Sequence, residues 1–223
     1  MARNRSNPLA LAVLMCLYER SMHPYEVATT LRQRHKDKSV RLNYGSLYAV
    51  VGSLEHRGLI AAEGTARAGR LPERTVYGIT DAGRVEANDW LAELIARPVK
   101  EYPAFEAGLS FLAALPPDEV AALLEERAVG LEVALAQARA TAELVEARGL
   151  PRILWVEGEF AIALREAELE FVRRLVADIR ADVITGIGWW RALHADDGPP
   201  SPPPFVERWP ELTYALGPDR ELT

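Results

Sequence analysis

Between Leu42 and Ile60 the chain reads LNYGSLYAVVGSLEHRGLI, a stretch with one apolar side and one nearly bare side. Leu47, Val50, Val51 and Leu54 fall at helical spacing and form one apolar stripe. On a wheel turning about 100° per residue, Gly45, Ala49, Gly52, Ser53 and His56 face the other way. A solvated helix face normally carries Lys, Glu, Gln or Arg, and a mid-helix glycine costs roughly 1 kcal/mol relative to alanine. A face this bare lets a backbone approach base edges in a groove about 12 Å wide. Ala49 could touch a thymine methyl, and Ser46 or Ser53 could bond a base edge or a phosphate. Tyr44 and Tyr48 lie on the flank, where a ring packs inward while its hydroxyl reaches a phosphate. Asn43 precedes the helix and is read as its cap, with base contact as the alternative. Arg67, Arg70 and Arg74 sit close to Gly64 and Gly69, as a basic loop that could follow phosphates or enter a narrow minor groove. Arg32, Lys36, Lys38 and Arg41 are further phosphate candidates.

Other chemistries find no matching constellation. The histidines at 23, 35, 56 and 194 show no HExxH or other metal spacing, no GxGxxG follows a strand, and no Walker loop is present. The many acidic residues of the second half read as solvated helix faces. No catalytic residues, metal or cofactor are therefore expected. Cys16 is the one cysteine, set in an apolar run, and is read as a small buried hydrophobe in a reducing cytoplasm. That run, LALAVLMCL, is shorter than the roughly 20 residues a bilayer needs. The amphipathic pattern continues past it, so neither a membrane span nor a signal peptide is expected. Net charge is −6, but residues 1–84 hold 13 Lys+Arg against 7 Asp+Glu, and residues 85–223 hold 13 against 25. A basic front and an acidic back point to one half that meets a polyanion.

The elements that must position these residues follow from periodicity. PLALAVLMCLYER (8–20) is a helix apolar nearly all round. A second helix starts at Pro24, with His23 near its cap; Tyr25, Val27, Ala28 and Leu31 are its core positions, and Tyr25 also joins the DNA-contact set. The third is the opening stretch, ending at Gly58. LIAAEG (59–64) and RTVYGIT (74–80) form a β-hairpin. A fourth helix, capped by Thr80 or Asp81, has Val85, Trp90, Leu91, Leu94 and Ile95 as its apolar stripe. The order describes a winged helix-turn-helix.

After an interruption at Pro98–Pro103, a short helix (105–115) and two long ones (116–149 and 151–184) follow. Helices of such length commonly bury a stripe against each other or a second chain. Trp155, Phe160, Trp189 and Trp190 are candidates for an interface or an effector pocket, with core packing favoured for Trp155 and Phe160. DDGPPSPPP (196–204) reads as linker. The expected fold is mainly α, with a winged-helix DNA-binding domain over 1–97, a long-helix dimerisation domain over 98–190 and a Pro-rich tail over 191–223.

Three stretches carry a family resemblance: HPYEVATTLRQR, NYGSLYAVVGSLEHRGLI and GRLPERTVYGITDAGR. The marks are His23, Tyr25 and Glu26, then Gly45–Tyr48, then Leu54–Ile60, then the wing's Arg-x-Val-Tyr leading into Thr-x-Ala-Gly. As a set, over roughly residues 8–95, they resemble the PadR-type transcriptional regulators. The resemblance implies a cytoplasmic homodimer, joined through the C-terminal helices, that binds double-stranded operator DNA, usually as a repressor. It also implies release by a small aromatic effector in some members. A twofold dimer would meet a pseudo-palindrome with half-sites about one DNA turn, or a multiple, apart. The family often has proline after the second tyrosine and a basic residue further on; here Ala49 and Gly52 stand there. That shifts the attraction towards the wing and the second helix. The alternative is an adaptor that uses the winged helix and long helices to bind protein rather than DNA.

Overall fold

Asn7 opens the first helix: its side-chain oxygen accepts from the Leu9 amide at 3.1 Å, and Pro8 occupies the first position, where no N–H is needed. In the computed structural model, which describes residue 5 and residues 7–66 and 74–195, helix α1 spans Pro8–Glu19. Its Leu9, Val13, Leu14 and Leu17 are buried from several sides. Cys16 is buried among them, and burial is the main cause that pushes its thiol up to about 11, so it remains a protonated hydrophobe. Helix α2 spans Pro24–Gln33. The His23 ring accepts from the Tyr25 amide at 3.0 Å, while the Glu26 carboxylate accepts from the His23 amide at 2.9 Å, a reciprocal cap. Helix α3 spans Tyr44–His56, capped by Asn43, whose side chain accepts from the Ser46 amide at 2.7 Å. Gly58, at φ +70°, ends it: the Leu59 amide reaches the Leu54 carbonyl at 3.0 Å and the Gly58 amide that of Glu55 at 2.8 Å.

Strands β1 (Ile60–Ala66) and β2 (Arg74–Ile79) pair antiparallel, with Ile60 opposite Ile79 and Ala66 opposite Arg74. A bulge between Ala62 and Gly64 lays Glu63 over Gly78, where any Cβ would collide with its carboxylate. Met22 bridges to Tyr77, tying the α1–α2 turn to the wing. Helix α4 spans Asp81–Ala96 and is capped by Thr80, which accepts from the Gly83 amide at 3.0 Å. One apolar core joins α1, α2, α3, the hairpin base and Trp90 of α4.

The face that α4 buries differs from the expected stripe. Gly83, Glu86, Ala87 and Trp90 are buried, whereas Val85, Leu91, Leu94 and Ile95 are exposed. Trp90 is the largest of these side chains, and burying it sets the rotation of the helix. That rotation carries Glu86 inward, which is tolerable because two arginines meet its carboxylate: Arg5, at 3.1 and 3.2 Å, and Arg57, at 3.4 Å. A count of apolar residues cannot foresee a neutralised carboxylate taking a core position.

The chain divides into two compact units, Met1–Glu101 and Tyr102–Thr223. In the second, α5 (Ala104–Ser110) and a 3-10 turn precede α6 (Pro117–Ala147), and a second 3-10 turn at Arg152–Leu154 precedes α7 (Val156–Arg180). The last described helix is α8, Ile187–Leu193. Helices α6 and α7 enclose a core of Val120, Leu124, Leu135, Leu169, Val172 and Ile179. Ion pairs cross between them, among them Arg127–Glu168, Arg139–Glu166, Arg173–Glu132 and Arg180–Glu125. Exposed pairs of this kind contribute only about 0–1 kcal/mol each; they select the pairing more than they stabilise it.

Three expectations change here. The second long helix starts at Val156 rather than 151, because the chain breaks at Trp155 and the indole lies across the first turn. A Cβ on Gly158 would stand 2.4 Å from that ring, so glycine makes the room. Phe160 is not core: it is 64% exposed. It precedes Leu169 by nine residues, half a turn round the helix from the docking stripe. Finally, α8 continues to Leu193, beyond the point at 191 where the tail was expected. Trp190 is buried with its indole N–H on the Leu115 carbonyl at 2.8 Å, Arg191 reaches Asp118 and Asp182, and His194 lies 3.0 Å from the Ala113 carbonyl. These contacts hold Arg191 and His194, expected in the Pro-rich tail, against the second unit.

Candidate nucleic-acid interface

Helix α3 docks through Leu47, Val50, Val51 and Leu54, all buried. That leaves Gly45, Ala49, Gly52, Ser53 and His56 exposed along its outer ridge, with Ser46 half-buried beside them. The two ridge glycines are not needed by the packing. A Cβ on Gly52 would meet nothing within 4 Å, and one on Gly45 only the Asn43 side chain at 3.8 Å. Gly83, by contrast, has no room for a Cβ, because the Leu59 backbone carbonyl stands in its place, whereas a Cβ on Gly78 would displace only the end of the Glu63 side chain. Smallness at 45 and 52 therefore serves nothing inside this chain, although it weakens the helix.

Grooves run on both sides of the ridge. One, of about 370 Å³, is lined by Asn7, Ala10, Ser46, Ala49, Ser53 and Arg57 among others. The other, of about 280 Å³, is lined by His23, Pro24, Tyr48, Val51, Gly52, Thr75 and Tyr77 and opens towards the base of the wing.

At the start of the ridge, α2 and α3 together build a ladder of exposed rings and a cation. Helical position puts Tyr25 in the core; its ring is instead 51% exposed. It stacks on Tyr44 at 6.2 Å between centroids and 10° between planes. The stack explains the exposure, since each ring covers one face of the other while its edge stays wet. The Arg32 guanidinium lies 4.8 Å from the Tyr44 ring centroid and donates to the Tyr44 hydroxyl at 2.6 Å. That hydroxyl already accepts from a cation, so its own hydrogen is directed elsewhere and suits an anionic acceptor. Tyr48 follows one turn later, 52% exposed, on the flank nearer the wing.

The remaining cations divide into two groups. Arg34 is paired with Glu19 at 2.5 and 2.8 Å and joins α2 to α1. The Glu19 hydrogen bond holds the Arg34 guanidinium above its usual range, and the same bond lowers the carboxyl of Glu19. Lys38 and Arg41, exposed on the turn between α2 and α3, make no ion pair among the described residues. Lys36 is half-buried on the same turn. Asn43 uses its side chain as the α3 cap. Arg67 and Arg70 lie outside the described residues; so does the side chain of Arg74, whose backbone pairs with Ala66. Sequence reasoning missed Arg57 and the Arg5–Glu86 pair. The one readable signal was the spacing of Glu86, Asp89 and Glu93 on a single face of α4. In the second unit, Trp190 is core, Trp155 is half-buried and Phe160 is exposed; Trp189 packs beside the same core as Trp190. Among the described residues no cluster of His, Cys, Asp and Glu could hold a metal, and no helix is long and apolar enough to cross a membrane.

Residues 13–89, which hold the whole of this ridge and ladder, match the Transcriptional regulator PadR-like family, and no curated protein matches the sequence. Among solved structures, the chain is similar to Bacillus subtilis PadR in complex with operator DNA: TM-score 0.64, 19% identity, covering 77% of this chain and 97% of that one. It is similar to the same Bacillus protein in complex with p-coumaric acid, at TM-score 0.62 and 18% identity over 77% of this chain and 98% of that one. The Vibrio cholerae virulence activator AphA is a further neighbour, at TM-score 0.57 and 16% identity, covering 78% and 99%. At these identities the structural likeness establishes the fold. Over residues 13–89 the chain is thus similar to the PadR-like family of transcriptional regulators, and its fold is theirs.

Proposed function

We propose that the protein is a dimeric repressor that reads a pseudo-palindromic operator, with α3 in the major groove of each half-site. The observation that carries this is the pairing of two exposed features on one surface. One is a glycine- and serine-lined ridge that internal packing does not require; the other is the Tyr25–Tyr44–Arg32 ladder beside it. The ridge gives close approach, and the ladder and the turn lysines give attraction to phosphates. The Bacillus neighbour solved with operator DNA supports the reading. Dimerisation through the second unit is supported by apolar side chains that α6 and α7 leave exposed, among them Val129, Val133, Leu144, Phe160 and Leu164. The neighbour solved with p-coumaric acid supports a small aromatic effector. The site of action is the cytoplasm, where the DNA is.

Footprinting on the DNA upstream of the protein's own gene tests the reading, followed by titration of the protected duplex at several salt concentrations. A protected site with twofold symmetry is expected, with affinity falling steeply as salt rises. Binding that is absent at low salt, or flat in salt, would point to the adaptor instead. A reporter on the same promoter should rise when the gene is deleted; a fall would make the protein an activator, as the Vibrio neighbour is. Quenching of tryptophan fluorescence by hydroxycinnamic acids is expected if an aromatic effector binds, and no response across the set would remove that part of the proposal.

A sharper test is Tyr44→Phe. It keeps the ring stack and the cation–π contact and deletes the hydroxyl, together with the exposed hydrogen bond it accepts from Arg32. A hydrogen bond to a charged group is worth about 1.5–3 kcal/mol, so the operator Kd should rise about tenfold or more, with the thermal midpoint unchanged. Equal affinity would take Tyr44 out of the interface.

A further inference from the structure

Glu86 is the one buried charged side chain among the described residues, 6% exposed on α4. Its two carboxylate oxygens take a fork from Arg5: Nε to Oε1 at 3.2 Å and Nη2 to Oε2 at 3.1 Å. Arg5 also donates to Glu93 and comes within 3.9 Å of Asp89. Arg5 is therefore gripped by one face of α4, and burial has left its side chain only 15% exposed. The Glu86 hydrogen bond is the largest cause holding the Arg5 guanidinium above its usual range. Against this fork, the tie from Arg57 is slight. It is a single Nη2 donation to Oε1 at 3.4 Å, from a side chain that is 31% exposed. Arg57 follows the last residue of α3 and lines the same groove as Ser46, Ala49 and Ser53.

Resting on the proposed DNA-binding reading, we propose that Arg57 is a further phosphate-binding residue, held ready by Glu86 and released because Arg5 stays behind. A buried carboxylate cannot be stripped of its counter-charge without a large penalty. Here two arginines of unequal grip meet it. When a phosphate enters the groove beside the α3 ridge, Arg57 leaves the weaker contact and pairs with the phosphate, while Glu86 keeps both oxygens on Arg5. The N-terminal segment thereby sets how freely the end of the reading helix gives up its cation. Removing Arg5 reverses the balance: Arg57 becomes the arginine on which Glu86 depends and is withheld from the DNA.

The experiment is a set of salt titrations on the footprinted duplex with the full-length chain, each variant first checked for an intact thermal transition. Arg57→Ala should lower the slope of log K against log salt by about 1, as expected when one phosphate is no longer neutralised. Arg57→Lys should keep it. Arg5→Ala should lower the slope by the same amount, because Glu86 then captures Arg57. Adding Glu86→Gln to Arg5→Ala should restore the parental slope, since no carboxylate remains there to hold Arg57. A structural role alone predicts the opposite for that double variant, which removes more of the network yet should bind better. Two results overturn the proposal: an Arg57→Ala slope equal to the parent's, or an Arg5→Ala defect that Glu86→Gln does not repair. A parent protein with no salt-dependent binding would instead overturn the DNA reading on which it rests.

Discussion

Replacing Gly52 with glutamine is expected to raise stability and weaken specific operator binding together. The two effects have separate physical sources. In the folded chain a Cβ at 52 points into open space, with nothing within 4 Å, so the larger side chain meets no internal obstacle. Glycine in a helix interior costs about 1 kcal/mol relative to a good helix former, and the substitution should recover part of that as a higher thermal midpoint. On the outer side the consequence is opposite. Ala49, Gly52 and Ser53 are exposed together on the ridge, and a glutamine side chain would hold that ridge away from base edges. Each good base contact is worth about 1–3 kcal/mol of discrimination. Displacing the helix from more than one of them should weaken specific binding by about a hundredfold, while non-specific binding, which rests on phosphates, changes little. Specific and competitor duplexes titrated side by side, with a melting curve of the same sample, check both halves. A variant that binds the operator as the parent does would show that this ridge does not face the groove.

Gly83→Ala should be the largest loss of stability from a single methyl group in the first unit. Gly83 lies in the first turn of α4, and its Cβ would stand 2.0 Å from the Leu59 carbonyl oxygen and 2.8 Å from Ile79 Cγ1. The carbonyl is backbone at the junction of α3 and β1, and it already accepts from the Thr80 amide at 3.1 Å. It cannot swing aside as a side-chain end would. Helix propensity favours alanine by about 1 kcal/mol, and that gain is the smaller quantity. Overpacking a tight site costs typically about 1–3 kcal/mol and occasionally more, and a backbone neighbour puts this site at the upper end. A net loss of roughly 3 kcal/mol in a unit of this size corresponds to a midpoint lower by about 10 °C or more. A midpoint at or above the parent's would mean that α4 shifts freely against the hairpin, contrary to its fit on Leu59. Gly83 and Gly52 thus differ in kind: one glycine is required by a neighbour inside the chain, the other by nothing inside it.

Much of this was legible in the amino-acid order. The helix boundaries around Asn7, His23, Asn43, Gly58 and Thr80 follow from local rules, because caps and left-handed terminators involve atoms only a few residues apart. The docking stripe of α3 was readable for the same reason: four strongly apolar residues at helical spacing admit one inward face. The α4 stripe was not, since Trp90 and a neutralised Glu86 outweighed a larger number of smaller apolar residues. Helical position alone puts Tyr25 in the core, whereas its partner is another exposed ring, Tyr44 at the start of the next α-helix. Arg57 passed unnoticed, because nothing nearby in sequence announces that its counter-ion lies on α4 and is shared with Arg5.

In the second unit, amino-acid order misplaced the start of α7 and did not foresee α8; in the first it was enough to place the helix starts and the hairpin, the buried side of α3 and the basic front of the chain. These properties depend on hydrogen bonds and periodicities within a few residues, and on summed charge. Which glycines have room for a side chain, which tyrosines meet and which arginines are already held by a carboxylate emerge only once the chain is folded. Those depend on distances between segments far apart in the chain, which local order does not encode one pair at a time. Gly52 stands open and Gly83 stands closed for that reason, although both are glycines in helices.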